Sequence, residues 1–463
     1  MQGEKLDQDD LFYYGSLDSL VPQDDPLLRL DALLDLSWLR RETRFLYSST
    51  GRPSVDPVVV AKLLLIAYLQ DIDSERELMR QVQVNLSYRR FLHYRLSEAL
   101  PDHSALTRSR QRLGEATIRK VFEYVLRLCL DAALVGEELQ SVDSTFVQAN
   151  ASLASLRPRL VAVEARTYTE KLFAADSDEE EQENKPGTRS RGRRRNEDFV
   201  SKTDPDSGVY RRKGLKSHLG FLVHFAVARG KQVITAVRTT GAEERDAGQL
   251  IPLLDQVAEA GIRVEAVAAD RGYSSGEVYH ALAEREIAAF IPQQRTGVPG
   301  HFSQEWFVYD REEDRYHCPN GAWLRRVRSA KEIRYKARVD DCRSCPLRAH
   351  CTSGKVRTLN ISPYEADLSA ARLLQKTTAA GRAARERRIC SERTFAEAKD
   401  QHGLRRAHCR GLTNLAIQAL LTATVINLKR YLQAQTRAFP QAGALRAPAS
   451  VTFSLCYMRP CLS

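Results

Sequence analysis

The run from Glu137 to Asn150, Glu-Glu-Leu-Gln-Ser-Val-Asp-Ser-Thr-Phe-Val-Gln-Ala-Asn, constrains this chain more than any other stretch. It is β-prone and carries one acid, Asp143, in its middle. A carboxylate set among Leu139, Val142, Phe146 and Val147 is costly to desolvate unless it is paired, hydrogen-bonded or holding a cation. Whatever sheet this strand joins must therefore supply Asp143 with a partner, and other acids are candidates to share a cation with it.

Two downstream acids stand at informative places. Asp270 ends the apolar run Val264 to Ala269 and is followed by Arg271-Gly272-Tyr273, a strand breaking into a turn. Glu392 lies inside Arg385 to Lys399, a stretch without Gly or Pro that reads as a helix. Along it Arg388, Glu392, Phe395 and Lys399 recur at steps of four, three and four, which puts them on one face. Glu397 lies about 140° round that helix from Glu392, so both cannot face one site. A strand acid, a strand-end acid and a helix acid make a candidate metal-binding trio, and hard oxygen ligands suit Mg²⁺.

On these residues the chain resembles the DDE transposases of bacterial insertion sequences. The resemblance rests on Val-Asp-Ser-Thr (142 to 145), on Ala-Asp-Arg-Gly-Tyr (269 to 273), and on an Arg, three residues, Glu, six residues, Lys pattern met by Arg388, Glu392 and Lys399. Many relatives carry a Tyr three residues before the Arg, where this chain has Arg385. Similarity runs from Asp31 to Gln435. It implies an α/β fold with a ribonuclease H-like mixed five-stranded sheet, flanking helices, an all-α N-terminal domain and a Cys-rich insertion. It also implies two Mg²⁺ ions, with Mn²⁺ as substitute, held by Asp143, Asp270 and Glu392, with Arg388 and Lys399 positioning DNA strands. The activity implied is end cleavage and strand transfer on double-stranded DNA by a homodimer. Two rivals are a catalytically inactive, transposase-derived DNA-binding protein and a ribonuclease H-like nuclease without strand transfer.

Composition agrees. With 70 Lys and Arg against 59 Asp and Glu, the formal charge of +11 suits a polyanionic partner. No run approaches the roughly 18 apolar residues of a membrane span, and the N-terminus lacks a signal peptide's apolar centre. A cytoplasmic protein is expected. Nine cysteines scattered over 463 residues do not make a disulfide framework.

In chain order, residues 1–25 read as a flexible arm and 26–136 as a helical domain for DNA binding or assembly. Asp56-Pro57 supplies an N-cap and first-turn proline, and Ser74 to Glu77 a capping box. Arg108 and Arg112, one helical turn apart, are candidate phosphate contacts, set against an ordinary solvated face. Thr117 to Leu134 reads as a longer helix leading into the Asp143 strand. Residues 137–292 form the first part of the core. Within it Leu153 to Phe173 reads as mostly helical, and the charge blocks of 175–198 as a mobile loop. A hairpin over 219–237, then a helix, a strand, a helix and a strand complete five strands.

Residues 293–371 are the insertion, with Cys318, Cys342, Cys345 and Cys351. These four could hold a metal, a structural Zn²⁺ ahead of an iron–sulfur cluster, or be free thiols packed as small hydrophobes. Residues 372–436 return to the core, with Arg405 and Arg406 in a basic connection that is a further DNA-binding candidate. Residues 437–463 read as a disordered tail.

Overall fold

A computed structural model describes residues 16–51, 54–158, 196, 199–211, 216–294, 300–328 and 333–438. Its N-terminal third is helical, as the caps require. Asp25 accepts from the Leu27 amide, Asp56 from Val58 with Pro57 in the first turn, Ser74 from Glu77 and Asp102 from Ser104. The helix Pro57–Leu69 is apolar almost all round and buried, packed against both helix His103–Asp131 and the last helix, Leu412–Ala438. Its one charge, Lys62, is neutralised by Asp31 at 2.6 Å and bonds the Phe91 carbonyl. Gly114 takes φ 66° and ψ 177° inside His103–Asp131. That conformation interrupts the helix between the Arg108 segment and the second run, at a residue type that adopts positive φ without strain.

Strand β1 (Val135–Gln148) is the centre of a mixed sheet. On one side it pairs antiparallel with β5 (His218–Gly230), which pairs antiparallel with β6 (Ile234–Gly241) and with the short β4 (Gly208–Tyr210). On the other side it runs parallel to β7 (Ala266–Ala269), itself parallel to β8 (Ala288–Phe290). Helices Ala247–Glu259 and Gly276–Glu284 make the two crossovers that parallel pairing demands. The path therefore switches sides at β1. The free edge of β6 is covered by the last helix, where Asn427 uses its amide as a backbone mimic: Oδ1 accepts from the Ile234 amide and Nδ2 donates to the Ile234 carbonyl, both at 2.8 Å.

The insertion makes its own antiparallel sheet in chain order, β9 (Val308–Asp310), β10 (Arg315–His317), β11 (Trp323–Val327), β12 (Ile333–Ala337) and β13 (Thr358–Ile361). Phe307, Tyr316, Leu324, Tyr335, Ala337, Leu359 and Ile361 form a separate small core. From Glu365 the chain returns to the main sheet. Helix Glu365–Gln375 packs on Gly276–Glu284, and Thr378–Arg387 leads through a π-turn, Arg388–Glu392, into helix Arg393–Gln401.

Three expectations are corrected. The main sheet has six strands where five were expected, because the short β4 adds to the end of β5. Leu153–Ser155 is a 3₁₀ turn and β2 (Leu156–Pro158) pairs with β3 (Phe199–Ser201), so the helix expected from Leu153 does not start there. A short apolar run has no period that separates strand from helix, and Pro158 fits an edge position. Nor is all of 1–25 an arm, because Leu17–Leu20 is helical and Val21 is buried. Residues 159–173, nearly all of the charge-block loop and the tail after 438 lie outside the described residues. No helix among the described residues is long and apolar enough to cross a membrane.

Candidate active site

Parallel pairing of β1 and β7 brings the first two acids together. Val142 stands opposite Ala269, so the next residues, Asp143 and Asp270, continue the register side by side. Neighbouring strands lie about 4.8 Å apart and residues level with each other share a face, which puts both carboxyl groups on the same side of the sheet. Asp143 Oδ1 accepts from the Ser144 amide at 2.9 Å, and Asp270 Oδ1 caps its turn by accepting from Gly272 at 2.8 Å. Burial pushes the Asp143 carboxyl up to about 6; Arg387 and the Ser144 amide pull it down, while the charges of Asp270 and Asp246 push it further up.

Asp246 is an acid that sequence reasoning missed. It sits between β6 and helix Ala247–Glu259, in the run Glu243-Glu244-Arg245-Asp246, which reads as a solvated turn. A Cβ on Gly272 would lie 2.8 Å from Asp246 Oδ2 and 3.0 Å from Asp270 Oδ1, so the absence of a side chain there lets two carboxylates close over one backbone. Beneath them is a buried polar chain. The Tyr273 hydroxyl and His224 Nδ1 are 2.9 Å apart, His224 Nε2 is 3.1 Å from Thr240 Oγ1, and His224 Nδ1 is 3.7 Å from Asp246 Oδ1. Burial drops the His224 pKa to about 3, so its ring is neutral at pH 7, and burial next to Asp246, Asp143 and Asp270 raises Tyr273. The Tyr of Asp-Arg-Gly-Tyr thus tethers the Asp270 turn to β5; its place in the motif was the available signal.

The Glu392 helix lies across β1 and β5. Phe395 stacks on Phe225 with centroids 4.8 Å apart, and Phe225 is the cross-strand partner of Asp143. Arg387, not the motif's Arg388, reaches Asp143, with Nη1 to Oδ2 at 2.5 Å. Arg388 and Glu392 are exposed and Lys399 half-buried. The π-turn over Arg388–Glu392 is what a 3.6-residue count leaves out. Its i to i+5 bonds widen the turn, so Arg387 and Glu392 stand nearer one line than the 140° that an α-helix would put between them. Glu397 faces away, buried against Lys429 at 2.6 Å and against Arg430. Burial acts to raise Glu397, but His402, Arg430 and Lys429 outweigh it and hold the carboxyl far below the usual range.

No three His, Cys, Asp or Glu side chains among the described residues are grouped closely enough to hold a metal ion. Asp143, Asp270 and Glu392 therefore do not close into a trio in this structure; the guanidinium of Arg387 takes one Asp143 oxygen. Cys318, Cys342, Cys345 and Cys351 do not close on a common point either. They are free thiols, with Cys318, Cys342 and Cys351 packed against the insertion's small core, and burial, with the other three thiols adding, raises Cys351. Cys318 Sγ accepts from the Ala322 amide at 3.3 Å.

The remaining candidates lie elsewhere. Arg108 and Arg112 are exposed, Arg112 over the Tyr47 ring, whereas Arg110 between them is tied to Glu75. Arg405 pairs with Asp400, and Arg406 bonds Asn150 at 3.0 Å where its backbone bridges to Gln148 at the end of β1.

Two family models match. Residues 15–112 match a transposase domain (DUF772) and residues 317–432 a transposase DDE domain. Both matches are to transposase domains, and together they support an insertion-sequence DDE transposase. The second match contains Glu392, Arg388, Lys399 and the four insertion cysteines; Asp143 and Asp270 lie outside both. A comparison with curated proteins found no match. Among solved structures, the Mos1 transposase paired-end complex with left transposon end aligns at 10% identity and TM-score 0.16, over 57% of this chain and 70% of that chain, a likeness too loose to argue from.

Proposed function

We propose that this transposase cuts DNA at the ends of an insertion sequence and joins the freed 3′ ends to target DNA, using a ribonuclease H-like core and acting as a homodimer. The observation that carries this reading is the side-by-side placement of Asp143 and Asp270 where the strand path switches sides, the position at which open α/β sheets bind ligands.

The donor set fits a hard divalent cation. All the candidate groups are carboxylates, and at Asp143 burial and neighbouring like charge together raise the pKa, a cost that a cation relieves. Asp143, Asp270 and Glu392 would hold Mg²⁺, or Mn²⁺ in its place. Such ions would stabilise the entering and leaving oxygens of an in-line phosphoryl displacement. Arg387 keeps Asp143 paired in the free protein and, once released, stands beside a reacting phosphate. Arg388 and Lys399 hold the DNA strand along the same helix, and Arg108, Arg112, Arg405 and Arg406 contact phosphates further out. In the insertion, Cys318, Cys342, Cys345 and Cys351 would hold one Zn²⁺ if brought together. Metal analysis of protein purified without chelator tests this last point, and a content well below one ion per chain would sink it.

The functional test uses a labelled duplex carrying the inverted repeats that flank the gene, together with a plasmid target. Magnesium-dependent joining is the expected result. Cutting without joining would make the protein a nuclease, and binding alone would make it an inactive relative.

A further inference from the structure

The insertion sheet places like charges opposite one another. In its register Arg315 pairs with Arg325, Arg325 with Lys336, and Lys336 with Thr358. Alternate residues of a strand point to opposite faces. Tyr316, Leu324, Ala337 and Leu359 turn into the small core, so the row Arg315, Arg325, Lys336 turns outward. Directly opposed side chains have Cβ atoms about 5 Å apart, and like charges so placed destabilise a sheet.

Compensation is confined to one end of the row. Arg315 lies over the Trp323 ring, 3.4 Å from its centroid, and has Asp310 at 3.6 Å and Glu313 at 3.7 Å. Arg325 and Lys336 are exposed and form no ion pair among the described residues. Arg334, one row along on the same face, bonds Asn360 at 3.0 Å. The result is a basic, solvent-facing row with a repulsion that a polyanion would remove.

Its width indicates how DNA would meet it. Five strands about 4.8 Å apart measure roughly 19 Å across, wider than the major groove at about 12 Å. Such a face rests across the phosphate ridges and cannot insert to read base edges, and phosphate contacts position a duplex without reading its sequence.

We propose that the outward face of the β9–β13 sheet, built on Arg315, Arg325 and Lys336, is a sequence-indifferent phosphate-contact surface for duplex DNA, separate from the acid site. This rests on the reading of the chain as a DNA transposase.

The test measures binding of the full-length protein to labelled duplexes of unrelated sequence by fluorescence anisotropy across a salt series. Removing one cation that neutralises a phosphate lowers the slope of log affinity against log salt by about 0.9. The double variant Arg325→Gln, Lys336→Gln should therefore lose close to two units of slope, equally on every duplex. Its unfolding temperature at low salt should be unchanged or higher, because the opposed charges are gone. Thr358→Glu, which leaves every cation in place and sets a carboxylate opposite Lys336, should weaken binding in the same direction. An unchanged slope in both folded variants overturns the surface, and a loss confined to one duplex overturns its indifference to sequence. Wild-type protein that binds no duplex at all overturns the transposase reading itself.

Discussion

Asp143 and Glu397 are both largely buried carboxylates, and the protein treats them in opposite ways. Glu397 lies between two helices with Lys429 and Arg430 against its two oxygens, so ionisation holds the helices together. Asp143 has one cation, Arg387, set against burial and two neighbouring aspartates, and its carboxyl stays up at about 6. A residue kept for stability is given its counter-charge within the fold. The one whose single counter-charge does not offset its burial is where an outside cation has something to gain, and that contrast separates the site from the scaffold.

The largest expected effect is on chemistry. Asp143→Asn, Asp270→Asn and Glu392→Gln should each take cutting and joining below detection while duplex binding survives. An active Glu392→Gln protein would break the contrast, since the helix would then contribute scaffold alone. Next comes Glu397→Gln, which leaves Lys429 and Arg430 buried without their partner and should cost about 3–5 kcal/mol in chemical denaturation. Activity assayed at a temperature where this variant is still folded should persist; a folded but inactive variant would move Glu397 into the site.

The smallest effect has the opposite sign. Raising a carboxyl from 3.8 to about 6 corresponds to about 3 kcal/mol, so Asp143→Asn should stabilise the metal-free protein at pH 7 by about 1–3 kcal/mol. Because the folded pKa lies above the unfolded one, native protein takes up the extra proton first, and the penalty fades as pH falls from about 6 to about 4. The gap between variant and wild type should close over that window. For Glu397 the depressed carboxyl contributes stability above its unfolded value and loses it as pH falls lower still. Denaturation curves at several pH values check both slopes, and an Asp143→Asn protein less stable than wild type would show that the Arg387 pair dominates.

Much of this was legible in the residues. Helix starts at Asp56-Pro57 and Ser74 follow from local capping, and Asp143 in its strand and Asp270 at a strand end follow from pattern. What the sequence hid depends on other elements. The π-turn shifts the facing of Arg387 and Glu392, and no 3.6-residue count reveals it. Asp246 matters because β6 delivers it next to the Asp270 turn, a proximity set by sheet order; alone, it is one charge in a charged run. Leu153 to Pro158 went to a strand because a distant segment, Phe199–Ser201, was there to pair with it.

The amide of Asn427 has a consequence in time. A chain leaves the ribosome at about 5–20 residues per second, and Asn427 follows Ile234 by 193 residues. For about 10–40 s the nascent protein therefore holds β6 with its outer edge unsealed, a ready template for another chain. Early release anywhere in that interval leaves a sheet that can zip onto its neighbours, so a truncated product should be found in aggregates, whereas the finished chain closes its own edge.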